Sequence, residues 1–306
     1  ADGMAYVEAC LDRGMDIESF GPTLSFFFNS HNSLFEEVAK FRAARRIWAR
    51  LTADWYGAES DAARQLKFHT QTAGQSLTAQ QPLNNIARVT VQALAAVLGG
   101  TQSLHTNSYD EALALPSEEA VRVALRSQQI LADESGAGDI VDPLGGSFAV
   151  ESLTDEVESE AMTYIEEIRG MGDGSMRAGV LTGIEQGYFQ REIQEAAYEY
   201  QQRVEAGDET VVGVNAYETE EDTEPELLTV DESVQEHQRD RLDAVKRDRD
   251  DEAVTAALAG LETATENGEN VMPAIIDAVK SYATVGEIMS VFEDEFGSYQ
   301  ETISVA

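Results

Sequence analysis

Through the first half of this 306-residue chain, short apolar or alternating segments are each followed by a longer segment with helical spacing, at intervals of about 35 residues. Two strands separated by a helix in this way pair in parallel, because an antiparallel pair would need only a tight turn between them. The rhythm therefore predicts parallel α/β architecture. The first strand is expected at Leu24-Ser25-Phe26-Phe27-Phe28, and a helix over residues 33–51 places Leu34, Val38, Phe41, Trp48 and Leu51 on one side. Glu36 and Glu37 open that helix and Arg42, Arg45, Arg46 and Arg50 follow, an order that complements the helix dipole.

Residues 66–72 alternate, so Leu66, Phe68 and Thr70 share one strand face, and Lys67, His69 and Gln71 the other. A helix is expected from Pro82 to Leu98, stopped by Gly99-Gly100, then a strand over 102–106 and a helix from Pro116 to about Ser135. After Asp142-Pro143-Leu144-Gly145-Gly146 the texture changes. Helices are expected over 151–168 and 184–204, a lone strand over 211–215, an acidic linker near 218–231, and three more helices to about Phe296. This divides the chain into a strand–helix part, 1–148, and a mainly helical extension, 149–306. Leu153, Val157, Ala161, Tyr164 and Ile168 recur at helical spacing in the extension and need a surface to cover them.

The charge excludes several classes of partner. Asp and Glu number 57 against 21 Lys and Arg, a formal net charge of −36. Such a surface repels nucleic acid and anionic membranes, and no apolar run approaches the roughly 18 residues of a spanning helix. Only Lys40, Lys67, Lys246 and Lys280 are lysines, and the acids are spread along the whole chain. That pattern fits a salt-adapted protein, in which high ionic strength screens the self-repulsion. The single cysteine, Cys10, excludes a disulfide framework and a cysteine-ligated metal, and suits a reducing cytoplasm. No two of His31, His69, His105 and His237 stand four residues apart, so no helical metal pair is expected. Neither a dinucleotide glycine fingerprint, a P-loop nor a nucleophile elbow is present. What remains is a polar set at strand ends: Ser25, His69, Gln71, Gln102, Ser103, His105 and Asn107. The plainer reading of each is a side chain that satisfies backbone groups at a strand–loop junction.

Three stretches go further: residues 68–85 (FHTQTAGQSLTAQQPLNN), residues 99–112 (GGTQSLHTNSYDEA), and Asp142-Pro143 with Gly145-Gly146-Ser147. Together they resemble the large, catalytic subunit of adenosylcobalamin-dependent methylmalonyl-CoA mutase, most closely the archaeal type with a separate cobalamin-binding small subunit. The similarity runs almost end to end. It implies the C-terminal part of a (β/α)8 TIM barrel followed by a helical extension. In that barrel an acyl-CoA thioester threads along the axis and the corrin covers the C-terminal face. The family reaction is a radical 1,2-shift for which adenosylcobalamin supplies the chemistry.

Position by position, the resemblance makes Ser25, His69, Gln102 and Ser103 substrate contacts. It makes Gln71, Glu111, Ala114 and Leu115 cofactor contacts. No cobalt-ligand motif is present, and the family's catalytic histidine and tyrosine fall upstream of residue 1. The chain is thus expected to be the C-terminal half of a large subunit, inactive alone, with the N-terminal part of the barrel and the small subunit as partners. Thr23 stands where the family has an arginine, and Gln75 and Leu144 where many members have tryptophan, which loosens the choice of acyl-CoA. An isobutyryl-CoA type of substrate is one alternative; a non-catalytic docking fragment is another.

Salt adaptation has a direct test. Circular dichroism across a KCl series is expected to show ordered structure lost as the salt falls from molar to about 50 mM, where the screening length is several-fold longer. A fold equally stable at both ends would refute it.

Overall fold

The computed structural model describes residues 1–219 and 227–300. It divides into two compact units, Ala1–Leu228 and Thr229–Ala306.

Strands β1 (Phe26–Ser30), β2 (Phe68–Thr72) and β3 (Ser103–His105) form one parallel sheet in that order, as the strand–helix rhythm requires. β2 and β3 lie inside their expected spans, while β1 is shifted two residues toward the C-terminus from the expected 24–28. Gly21–Thr23 form a 3-10 turn that delays β1 to Phe26, so Ser25 precedes the strand. The helices of this part are α1 (Asp2–Leu11) and the single turn α2 (Ile17–Phe20) before β1, then α3 (Leu34–Tyr56), the single turn α4 (Asp61–Arg64), α5 (Asn85–Leu98), α6 (Glu118–Asp133) and α7 (Phe148–Met171). Pro82 opens a 3-10 turn rather than α5 itself.

Alternation decides the two faces of the sheet. Phe26, Phe28, Phe68, Thr70 and Leu104 point toward the helices. Phe68 stacks on Phe41 of α3 with ring centroids 5.2 Å apart and meets Phe28 edge-on at 5.4 Å. Phe26 meets Trp48 of α3 at 4.7 Å. Phe41 and Phe68 are fully buried, each contributing roughly 1.5–3 kcal/mol by area.

A ladder of charge joins α3 to α7. Arg42 binds Asp142 and Glu151 bidentately, with Arg42–Glu151 at 2.7 Å, and also donates to the Thr154 hydroxyl. Arg46 pairs with Asp155 and Glu158, and Arg50 with Glu158 at 2.8 Å. The three arginines and their acids climb in the same order, so the two helices run parallel.

Three expectations beyond α7 are corrected. The helix expected over 184–204 is two, α8 (Met176–Glu185) and α9 (Tyr188–Ala206). Gly187, at φ 66°, turns the chain between them in a conformation that excludes most other residues. Residues 211–215 are a turn, not a strand. The Asn215 side chain accepts from the Val211 amide and donates to the Val204 and Glu209 carbonyls, filling the groups that a ladder would use. Among its described residues the second unit has four helices where three were expected: α10 (Glu232–Asp248), α11 (Asp251–Glu266), α12 (Met272–Lys280) and α13 (Val285–Phe296). Asp250 caps α11 through the amides of Glu252 and Ala253, and so breaks it from α10. Leu261, Ala278 and Ile288 form this unit's core, and Arg249 binds Glu287 through both carboxylate oxygens at 2.7 and 2.8 Å. Of the expected acidic linker, residues 220–226 lie outside the described residues.

Glu8 of α1 holds the start of α8. Its carboxylate accepts from the Met176 and Arg177 amides and the Ser175 hydroxyl at 2.7–2.9 Å, and from the Tyr56 hydroxyl at 3.2 Å. Burial pushes this carboxyl up, but the hydrogen bonds from Arg177, Ser175, Met176 and Tyr56 outweigh it and leave it below the ordinary value. A depressed folded-state carboxyl stabilises the fold above its unfolded pKa of about 4.3, and that stability is lost as pH falls through the folded value. Glu8→Ala is expected to lower stability by about 1–3 kcal/mol at neutral pH, and by less in acid. Urea melts of both proteins at pH 7 and in acid check this; an equal difference at both values would contradict it.

Candidate functional site

The sheet face turned away from the helices is polar and open. Register sets Phe27, His69 and Ser103 side by side in one row, and Asn29, Gln71 and His105 in the next. Phe27, Asn29, Ser103 and His105 are exposed, while His69 and Gln71 are half-buried. His69 Nδ1 lies 2.7 Å from the Ser103 hydroxyl, and the Phe27 ring leans over the His69 imidazole with centroids 4.4 Å apart. The side chains of Asn29, Gln71 and His105 make no hydrogen bond among the described residues. Their donors and acceptors are therefore free for a ligand.

Ser25 lies at the opposite, N-terminal end of this face and is exposed. Four residues of strand separate it from Asn29, or about 13 Å. The polar face is thus long enough to follow an extended chain along the strand direction.

At the C-terminal ends of the strands, buried Asn107 joins β2 to the loop after β3. It accepts from the Thr72 hydroxyl at 2.8 Å and donates to Glu111 at 2.8 Å. The other Glu111 oxygen accepts from the Ser108 amide at 2.7 Å, so the whole carboxylate is seated on its own loop. Asp110, fully buried, accepts from the Ser117 amide and closes the far end of the loop. Burial, Glu119 and Asp110 push the Tyr109 hydroxyl up, which keeps it neutral. Ala114 is half-buried and Leu115 is 62% exposed. In the loop after β2, a Cβ at Gly74 would stand 2.8 Å from Asn107 Nδ2, so only glycine lets this backbone approach. Gln75 beside it lies 3.2 Å from His31 Nδ1.

The fold therefore brings His69, Gln71 and Ser103 together, with Ser25 at one end of their face and Glu111, Ala114 and Leu115 beyond the other. Gln102 stands apart. Its side chain accepts from the Phe68 amide at 2.6 Å and donates to the Gly100 carbonyl, ending the ladder at the N-terminal side. Asn107 is likewise a loop anchor. Sequence reasoning passed over Phe27 and Asn29, which the apolar run in β1 conceals. Extending the alternation of β2 onto β1 would have exposed both. Among the described residues no group of three or more His, Cys, Asp or Glu could hold a metal ion.

The family model for methylmalonyl-CoA mutase matches residues 1–298. The chain belongs to the methylmalonyl-CoA mutase family. It is 44% identical over 304 residues to the 2-hydroxyisobutanoyl-CoA mutase large subunit of Aquincola tertiaricarbonis, covering 99% of this chain and 53% of that protein. It is 41% identical over 300 residues to methylmalonyl-CoA mutase of Escherichia coli, covering 98% of this chain and 41% of that protein. The human mitochondrial methylmalonyl-CoA mutase is 39% identical over 302 residues, with 98% and 40% covered. The chain thus spans about half of the first relative and about two fifths of the others. Family membership agrees with the helix-dominated α/β fold, in which three parallel strands form part of a TIM-type barrel.

Asn107 and Gln71 are expected to separate folding from binding. Asn107→Ala should cost about 1–3 kcal/mol and speed hydrogen exchange at the Ser108 amide, since it removes buried bonds on both sides of the loop. Gln71→Ala breaks no internal bond and should stay within about 0.5 kcal/mol of the parent. Thermal melts and amide exchange decide, and a large loss in Gln71→Ala would show that its amide is structural.

Proposed function

We propose that this chain is the C-terminal portion of the large subunit of a B12-dependent methylmalonyl-CoA mutase, interconverting (R)-methylmalonyl-CoA and succinyl-CoA. The observation that carries this reading is the open polar face of a parallel sheet. Parallel sheets are normally covered on both sides by apolar contacts, and the interior of an eight-stranded barrel is normally filled by branched apolar side chains. A face built from Ser25, Asn29, His69, Gln71, Ser103 and His105 suits instead a lumen that receives the amides and hydroxyl of a thioester chain. Three strands cannot close such a barrel, so the edges of β1 and β3 would pair with further strands of the same enzyme. The catalytic acid–base residues are assigned to that remainder, and residues 1–148 to the barrel portion with 149–306 as the helical extension.

The residues beyond the C-terminal strand ends fit a corrin, a broad apolar ring edged with amides. Gln71 offers an amide with no internal partner, Leu115 an exposed apolar side chain, and Gly74 an exposed backbone. Gln71, Glu111, Ala114 and Leu115 would hold adenosylcobalamin, which when bound supplies the carbon-radical chemistry of the 1,2-shift. Glu111, fixed by Asn107 and Ser108, presents a carboxylate that cannot swing away, and His69, fixed by Ser103, orients its free ring nitrogen. Their part is to place the reacting carbons and keep water out, since a displacement of about 1 Å costs on the order of a hundredfold in rate.

The cobalamin-binding domain is read as a separate small subunit, in keeping with the name "large subunit" borne by the 44% identical relative. That relative also favours a second reading, a branched or hydroxylated acyl-CoA as substrate. Thr23, in place of the family's arginine, removes a charge near the thioester end and leaves this choice to the missing part of the barrel. An acidic protein of this kind is assigned to a salt-rich cytoplasm. No helix among the described residues is long and apolar enough to cross a membrane.

Turnover by the complete enzyme, with small subunit and adenosylcobalamin, tests the assignment. Methylmalonyl-CoA, isobutyryl-CoA and 2-hydroxyisobutanoyl-CoA should be compared directly. Gln71→Ala is expected to lower kcat or cofactor affinity at least about tenfold, while Thr70→Val, on the helix face, leaves kcat nearly unchanged. Loss in Thr70→Val with none in Gln71→Ala would put the site on the wrong face. Robust turnover by this chain without the rest of the barrel would overturn the division of labour.

A further inference from the structure

We propose that a cavity walled by α5, α9 and the turn at 209–212 is an oxyanion site that takes a small phosphate- or carboxylate-bearing molecule. The cavity measures about 450 Å³, and Asn32, Ser76, Asn84, Arg88 and Tyr200 line it together with that turn. This is the size of a small-molecule pocket, larger than a lone inorganic ion needs. None of the residues on the open sheet face lines it.

Arg88 supplies the charge. Its guanidinium donates to the Thr78 hydroxyl at 2.9 Å, the Asn85 side-chain oxygen at 2.8 Å and the Val212 carbonyl at 2.7 Å. All three partners are neutral, and among the described residues no carboxylate pairs with it. In a chain with 57 acids this is a positive group left uncompensated in a concave, partly desolvated place. There its attraction for an anion exceeds that of an exposed arginine. Burial lowers the Arg88 pKa without bringing it near neutrality, so the charge persists.

The neutral donors are held in place. Buried Gln92 accepts from the Ala73 amide at 3.1 Å and donates to Asn32 Oδ1 and Ser76 Oγ, both at 2.6 Å. Because the Asn32 oxygen is taken, its NH2 group is the end left free. The Tyr200 hydroxyl also has no hydrogen bond among the described residues. Arg88, Asn32 and Tyr200 thus present a cation and two neutral donors, a set that matches the oxygens of a phosphate or carboxylate. Glu209 is the one acid on the wall and would accept from a hydroxyl or amine on the same molecule.

The probes are sodium phosphate, sodium malonate and sodium chloride at matched ionic strength, followed by NMR at Arg88 Nε–H and the Asn32 side-chain amide. Saturable shifts with phosphate or malonate, at a midpoint at least about tenfold below any chloride effect, are expected; the better of the two names the oxyanion class. Arg88→Gln should abolish them. Tyr200→Phe and Asn32→Ala, which break no bond of Arg88, should each raise the midpoint about threefold or more, and they decide the matter if Arg88→Gln does not fold. Shifts that follow ionic strength alone, or midpoints unmoved in these variants, would overturn the proposal.

Discussion

Phe68 sits between Phe28 and Phe41, and this aromatic packing settles which face of the sheet meets the helices. Side chains alternate strictly along a strand, so burying Phe68 and Thr70 forces His69 and Gln71 to the other side. A slip of one residue would carry an imidazole and a carboxamide into the space now filled by Phe68 and Thr70, against Phe41. It would also strand their polar atoms there, at a cost of several kcal/mol. The register with β1 and β3 then brings Phe27 and Asn29 on one side, and Ser103 and His105 on the other, into the same two rows. One packing decision in β2 thus composes the whole candidate site.

The Arg42 cluster does the corresponding work outside the sheet. Its side chain is only 12% exposed, and it satisfies two carboxylates and a hydroxyl at once. An isolated surface ion pair would contribute little, but a partly buried arginine with a bidentate partner is expensive to leave unpaired. Removing Arg42 would leave Asp142 and Glu151 both without this cation, and the Asp142 turn and the start of α7 would both lose this anchor on α3. This gives the Asp142-Pro143 motif a structural meaning: it is the point where the chain leaves the strand–helix layer and is clamped to its outer surface.

The strand–helix order was legible because it rests on local patterns. Alternation in 66–72, helical spacing in 33–51 and the capping residues are each read from neighbours in sequence. The failures share a cause as well. The Val211–Asn215 segment has strand composition, yet a single asparagine side chain closes it into a turn, which composition does not reveal. The helix expected over 184–204 breaks at Gly187 although its apolar spacing continues. At the site, the alternation of β2 is the one the sequence predicts, while the bond from the Phe68 amide to the Gln102 side chain is a contact that the sequence pattern does not reveal. Whether a polar side chain turns to the backbone or to open space is fixed by its partners in space, and one sequence does not contain them.

Charge gives a last reason to regard the open sheet face as something other than ordinary surface. Acids cover the rest of the chain so thoroughly that the net charge reaches −36. The exposed or half-exposed residues of this face are Ser25, Phe27, Asn29, Lys67, His69, Gln71, Ser103 and His105; none of them is acidic, and Lys67 is tied to the Pro22 carbonyl at 2.6 Å. A surface that met only water and salt would have no reason to be spared. Phe27, 72% exposed, would be a poor choice there as well. On the proposed reading, a face that admits an anionic thioester and meets further strands of the barrel has reason to avoid carboxylates. The acidic exterior is interrupted along these strands, as a surface meant to be covered would require.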